Sequence, residues 1–416
     1  MPGLGDIGLD SAAPRSPTTR DSCTRCCGSA YGRRVAETVQ QVRWRERVER
    51  ICASGADRQT LRIRLLEEIR QAVGFDAHAW LMTDHRTAVG SAPLADVPCL
   101  HELPRAIRLK YLTTVNRWTE LAKADRSVGL LRLSTGDDPS LSLMWRDLQR
   151  EYGVVDVASM VFTDRCGCWG FLDLWRLEPA SAFDDGDAAR LSSVAASITE
   201  GLRTSQSLTF ASPPPGARDR LGPMVLLLDN DLSVRSQTDA TEQWLEVLLP
   251  AAAGGQPIPA AAYNVAAQLI AVEHDVDDNP ASARVHLADG LWVTLRAARL
   301  DPDSIAVTIE ETTAADRLEL FCACFGLSAR ESELIGHLAT GGNTRELAAQ
   351  MYVSEHTVQD HLKSIFAKTS AHNRRGLLSR ALGTSSHRGR VPAPTEHGAA
   401  CAEPASSVSP ERSPSR

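Results

Sequence analysis

The residues best placed to do chemistry lie near the C-terminal end of this 416-residue chain, where Glu355, His356, Gln359, Asp360 and Lys363 recur at helical spacing. On a helix that spacing gathers them on one side. Each can hydrogen-bond a base edge or a phosphate. Val358, Leu362, Ile365 and Phe366 interleave with them as an apolar stripe for the opposite side. Catalytic arrangements are harder to find. The chain has no Walker loop, no dinucleotide fingerprint, no nucleophile elbow and no His-Glu-x-x-His. Asp184, Asp185 and Asp187 could hold a metal, but acidic residues in that setting serve a helix N-terminus, where negative charge offsets the backbone dipole. Asp229 and Asp231 flank a turn after a strand, without the alternating strands and helices of a phosphoacceptor domain. No metal and no cofactor is expected.

The ten cysteines are irregularly spaced in a long chain and read as reduced thiols. Cys23, Cys26 and Cys27 have a metal-like gap, but no second Cys or His pair nearby completes a tetrahedral site. Cys166, Cys168, Cys322 and Cys324 are read as packing or turn residues. The formal net charge of −7 argues against a chain-wide polyanion binder, so any nucleic-acid contact must be local. No signal-like start and no apolar run long enough for a membrane span is found, and a cytoplasmic protein that makes no membrane contact is expected.

The elements that must position the polar face carry start signals at every boundary. Ser328 and Glu331 form a capping box ahead of an apolar stripe at Leu334, Ile335 and Leu338. Gly341-Gly342 stops that helix. Asn343 and Glu346 form a second box, opening a helix with Leu347, Ala348 and Met351 on one face. Only Tyr352 and Val353 separate it from Ser354, which can cap a third helix. A fourth fits Arg374 to Leu382. Two helices joined so tightly make a helix-turn-helix, whose second helix presents its exposed face to the DNA major groove.

Leu327-Ser-Ala-Arg-Glu331, Thr344-Arg-Glu-Leu-Ala348 and Val353-Ser-Glu-His-Thr-Val358 through His361-Leu362 resemble the LuxR-type helix-turn-helix over roughly 55 residues. The resemblance implies double-stranded DNA as partner, a third helix that reads it and a fourth that commonly makes a homodimer contact. It places DNA-binding roles on Thr344, Ser354, Glu355, His356, Thr357, Gln359, Asp360, Lys363 and Lys368, the last as a sequence-independent phosphate contact. Two departures stand out. Gln359 replaces the lysine usual after the Thr-Val pair, and Thr369-Ser-Ala371 replaces the usual Leu-Gly-Val, so a left-handed Ser370 would cost about 1 kcal/mol against glycine.

The remaining chain divides by composition. Residues 1–34 lack an aliphatic pattern and read as a disordered leader. Within 35–205, Leu61, Leu65, Leu66 and Ile69 mark a helix ending near Gly74, and Ala77–Met82 a strand. Helices are expected over Pro104–Ala122 and Trp145–Tyr152. Val154–Thr163 and Cys168–Leu177 flank the turn Asp164-Arg-Cys-Gly167 as a hairpin, and a helix capped near Asp184 follows. This pattern is similar to a GAF sensor domain. A linker (206–221) leads to 222–312, where Met224–Leu228, Leu232–Ser236, Ala283–Leu287, Leu291–Leu300 and Ser304–Ile309 read as strands. Asp289-Gly290 reads as a turn, 251–262 as loop, and a helix carries Trp244, Leu245 and Leu248; the whole resembles a PAS domain. Trp80, Trp169, Trp175, Trp244 and Trp292 are expected in cores. A connecting helix (313–326) enters the helix-turn-helix domain (327–383), and 384–416 reads as a disordered tail.

The expected fold is therefore multidomain, with α+β sensor domains followed by an all-α four-helix domain. The expected function is sequence-specific transcriptional regulation, with a small-molecule effector as a further candidate partner. The alternative is an enzyme with a catalytic middle region and a helical assembly domain.

Overall fold

The computed structural model describes residues 39–211, 224–239, 241, 260–287 and 291–383. The leader with Cys23, Cys26 and Cys27, the Ser212–Gly216 linker, the Trp244 helix, the Asp289-Gly290 turn and the 384–416 tail lie outside the described residues.

Two five-stranded antiparallel sheets form the N-terminal part. The first contains β1 (Ala77–Thr83), β2 (Gly90–Asp96), β3 (Val128–Leu130), β4 (Val154–Asp164) and β5 (Gly167–Leu177), in spatial order β2-β1-β5-β4-β3. The second contains β6 (Met224–Leu228), β7 (Val234–Gln237), β8 (Ser282–His286), β9 (Trp292–Asp301) and β10 (Ser304–Glu311), in order β7-β6-β10-β9-β8. Counted from their own first strands the two orders are the same. The β4–β5 hairpin is tighter than its sequence suggests. Asp164 pairs with Gly167, leaving Arg165-Cys166 as the turn, and Gly167 takes a φ of 131° that few other residues adopt.

The first sheet is buried on both faces, which is why β4 and β5 read as nearly continuous apolar runs. One face packs Trp80, Met160, Phe162 and Leu172 against a helix over 39–52 and the helices Arg58–Val73 and Asp185–Ser207, through Trp44, Leu65, Ile69, Leu191 and Ile198. The other face gives Phe171 and Val161 to a core shared with the second sheet. The helix Ala260–Glu273 lies in that shared core, buried on nearly every side from Ala260 to Gln268. Its first turn takes in residues 260–262, the end of the loop expected over 251–262, of which 251–259 lie outside the described residues. A helix covered all round shows no polar face, so periodicity could not announce it.

Two other expectations need correction. The single helix over Pro104–Ala122 is two helices, Leu103–Leu112 and Trp118–Lys123, separated where Thr113 turns extended and Asn116 takes a φ of 49°. The helix over Trp145–Tyr152 breaks at Leu148 into Leu143–Asp147 and a tighter turn over Gln149–Tyr152.

Buried ion pairs tie the sheets together. Arg117 Nη2 lies 2.8 Å from Asp277 Oδ2, both side chains fully buried, and Arg117 also reaches Gln268 Oε1 at 3.0 Å. Arg284 on β8 donates from Nε and Nη2 to Asp84 at 2.7 and 2.9 Å and from Nη1 to Glu319 on the helix Ala314–Cys324 at 2.8 Å. Burial opposes the charge on Asp84, but the bidentate guanidinium holds its carboxyl down to about 2. That connecting helix continues into Ala329–Thr340, Thr344–Met351, Glu355–Thr369 and Arg374–Leu382.

Candidate nucleic-acid interface

The C-terminal helices start where local chemistry dictates. Ser328 Oγ accepts from the Glu331 amide at 3.3 Å while Glu331 accepts from the Ser328 amide at 2.6 Å. Asn343 and Glu346 repeat the exchange, and Ser354 Oγ accepts from the Thr357 amide at 3.1 Å. Asn373, not singled out from the sequence, caps the last helix through the Gly376 amide at 2.7 Å. Leu334, Ile335, Leu338, Leu347, Met351, Val358, Leu362, Ile365, Leu377 and Ala381 close the core.

Packing that stripe inward sets the polar face outward. Glu355, His356, Gln359, Asp360 and Lys363 are all exposed on the helix Glu355–Thr369, while Thr357 is half-buried. They do not present equal hydrogen-bonding capacity. Asp360 accepts from Lys363 Nζ at 3.1 Å and lies 3.4 Å from His356 Nε2. The Lys363 ammonium, then the neighbouring histidines, lower the Asp360 pKa. Gln359 makes no hydrogen bond among the described residues, which leaves its amide for an incoming group.

Three residues from the sequence-predicted set have internal roles. Lys368 Nζ sits 2.7 and 2.9 Å from the carboxylate of Glu331, whose side chain is only 4% exposed. Burial works against the Glu331 charge, but Lys368, the Ser328 amide and the Ser364 hydroxyl hold its carboxyl down to about 2. Lys368 therefore serves Glu331 as a counter-ion within the domain. Thr344 Oγ1 accepts from Arg374 Nη2 at 2.9 Å, and Ser354 caps its helix.

Geometry also adds residues that the sequence did not single out. Arg345 and Arg375 are exposed and have no carboxylate partner among the described residues, and Arg374 is placed beside Thr344. Tyr352 in the turn takes a φ of 56° and is 95% exposed. The signal for the arginines was present in the sequence, but which cations are already paired is a fact of packing. Ser370 has a φ of 52°, the left-handed cap anticipated for it.

The last helix and the connecting helix meet the N-terminal part around Phe210. Arg380 donates to the Phe210 carbonyl at 2.9 Å and to the Thr369 carbonyl at 2.7 Å. Phe210 stacks on Trp292 and meets Phe321 edge-on. Arg317 lies over the Phe210 ring and donates to the Arg380 carbonyl at 3.2 Å.

The other candidate sites have structural roles. Asp184 and Asp187 form a reciprocal capping box, and among the described residues no cluster of His, Cys, Asp and Glu could hold a metal ion. Cys168, Cys322 and Cys324 are buried and free, and burial raises all three thiol pKa values, to about 11 for Cys168 and Cys322. Such thiols are poor nucleophiles. Trp80, Trp169, Trp175 and Trp292 are in cores. No helix among the described residues is long and apolar enough to cross a membrane.

Residues 326–381 match the family of bacterial regulatory proteins, luxR family (GerE), so the C-terminal helices are a LuxR-family DNA-binding domain. A monoamine regulon transcriptional regulator from Klebsiella aerogenes is 43% identical over 54 residues, 13% of this chain and 24% of that protein. The chain thus spans about a quarter of the length of that relative. The crystal structure of Escherichia coli SdiA aligns over 82% of this chain and 97% of its own at 12% identity, with a TM-score of 0.27, which is too low to say anything of the fold.

Proposed function

We propose that this protein is a sequence-specific DNA-binding transcriptional regulator, acting as a homodimer on two half-sites, with 35–205 and 222–312 as non-catalytic sensory regions of GAF-like and PAS-like kind. The observation that carries the reading is the division of the helix Glu355–Thr369, whose exposed polar face meets solvent while Val358, Leu362 and Ile365 are buried. Gln359 pairs with adenine, Lys363 donates to guanine or phosphate, and Asp360 accepts from cytosine once Lys363 releases it. Arg345, Arg374 and Arg375 supply phosphate contacts, and the Tyr352 hydroxyl adds another. With so few free cations in each subunit, affinity depends on dimerisation and the salt dependence is shallow.

The sensory reading draws support from the repeated strand order and from the helix Ala314–Cys324, which touches β8 and the β1–β2 connection and leads into the DNA-binding domain. A signal acts by binding two arrangements of that junction unequally. Selection of bound fragments from random DNA by the full-length protein at moderate salt tests the whole reading, and failure to enrich any motif would sink it. Deleting residues 1–312 is expected to alter regulation while leaving the selected motif unchanged.

A further inference from the structure

Where β8 and β9 face the start of the helix Ala260–Glu273 and the strand β2, the two sheets leave a cavity of about 110 Å³. Its walls include Ala92, Ala261, Val293, Leu295 and Ile309, and Arg58 enters it beside His286. Arg58 donates to the His286 backbone carbonyl at 3.2 Å, but among the described residues no carboxylate lies within ion-pair distance of its guanidinium. The carboxylate of the neighbouring Asp57 is taken up by the Gln59 and Thr60 amides at 2.9 and 3.1 Å. Burial, then the cations Arg58 and Arg317, push the pKa of His286 down to about 3, so this ring is neutral near pH 7 and Arg58 is the charge at the cavity.

A second observation lies one turn further along the same helix face, four residues from Ala260. Asn264 is fully buried, and neither its side-chain oxygen nor its nitrogen has a hydrogen-bond partner. It faces Gly90 on β2, where a Cβ would lie 3.4 Å from the Asn264 nitrogen. A half-buried cation at the end of an apolar space is what a small amphipathic anion needs.

We propose that this cavity binds a short monocarboxylic acid, with the carboxylate on Arg58 and the hydrocarbon body between the sheets. A dry engineered cavity of about 150 Å³ admits benzene. The smaller space here suits an unbranched acid of about four to six carbons, since a guanidinium pairs with a carboxylate in a bidentate fork. A phosphate, with more charge and more acceptors, would find too few donors. The strand that lines the cavity through Val285 and His286 also carries Arg284, which grips Asp84 and Glu319, so occupancy bears on the junction leading to the DNA-binding domain. That regulatory meaning rests on the sensory reading above; binding itself does not.

Calorimetric titration of the full-length protein with hexanoate, hexanamide and hexylamine tests the site. Hexanoate is expected to bind saturably, hexanamide about ten-fold or more weakly, and hexylamine not at all. Arg58→Gln is expected to remove the preference for the acid over the amide, and Ala261→Leu, filling the cavity, to abolish both, in proteins whose circular dichroism is unchanged. No saturable heat with hexanoate, or an Arg58→Gln protein that binds it as well as the parent, would overturn the proposal. DNA selection run alongside keeps the two readings apart, because a protein that takes up hexanoate but enriches no motif retains the site and loses the regulator.

Discussion

The DNA-binding helices and the two sheets both bury carboxylates against cations, but they draw the partners from different distances along the chain. In the helices the polar contacts that set the boundaries join residues three apart: Ser328 with Glu331, Asn343 with Glu346, Ser354 with Thr357. Glu331 reaches further, to Lys368, yet stays within its own domain. In the sheets the corresponding pairs are Arg117 with Asp277 and Asp84 with Arg284, drawn from opposite ends of the N-terminal part. Local pairs form as each helix forms. Distant pairs form only when two sheets and an intervening helix have met, so they report on the whole assembly.

The largest effect that would sharpen this contrast is expected from Asp277→Ala, which strands the Arg117 guanidinium in a dry core. A loss of roughly 3–5 kcal/mol is expected in urea unfolding followed by tryptophan fluorescence. A loss below about 1 kcal/mol would mean that water or a rearranged partner satisfies Arg117, and the contrast would fail on the sheet side.

Lys368→Ala comes next. It leaves Glu331 buried with only hydrogen-bond donors, and is expected to destabilise the DNA-binding helices by about 2–3 kcal/mol near neutral pH. The sign with pH follows from the depressed carboxyl. Stability from this group is present above its ordinary value of 4.5 and is lost as pH falls toward about 2. The variant should therefore unfold at higher pH than the parent during acid titration by circular dichroism. Coincident acid transitions would show that Lys368 does not hold Glu331 down.

Gln359→Ala is expected to leave melting unchanged and to cost about 1–3 kcal/mol at one base position of a selected site, relaxing preference there. Binding assays on that site and its single-base variants measure this, and an unchanged motif would make the polar face a mere solvated surface. Ser370→Gly relieves a left-handed φ of 52° and is expected to stabilise the helices by about 1 kcal/mol in the same melts. The smallest effect is that of Arg345→Ala, which should flatten the salt dependence of DNA affinity by about one charge without changing the motif.

The same contrast explains what could be read in advance. Capping residues and a stripe such as Val358, Leu362 and Ile365 announce an amphipathic helix because one side must face water. The helix Ala260–Glu273 has no such side, since β9, β2 and another helix cover it. β2 was equally obscure: Gly90–Asp96 contains Pro93, and Ala92 has a φ of 43°, so it has little strand character apart from its pairing with β1. The pairing of Lys368 was not legible either, because its partner Glu331 lies 37 residues away along the chain.

The sequence by itself determined the start and register of every helix from Ser328 to Leu382, the polar face on Glu355–Thr369 and the β4–β5 hairpin, because each depends on residues within a turn or two of one another. Tertiary structure alone decided which cations remain free, how the Ala260–Glu273 helix joins two sheets of the same strand order, and where Arg58 meets a cavity. These depend on which distant surfaces exclude water from one another, and burial of that kind leaves no periodic mark on the chain.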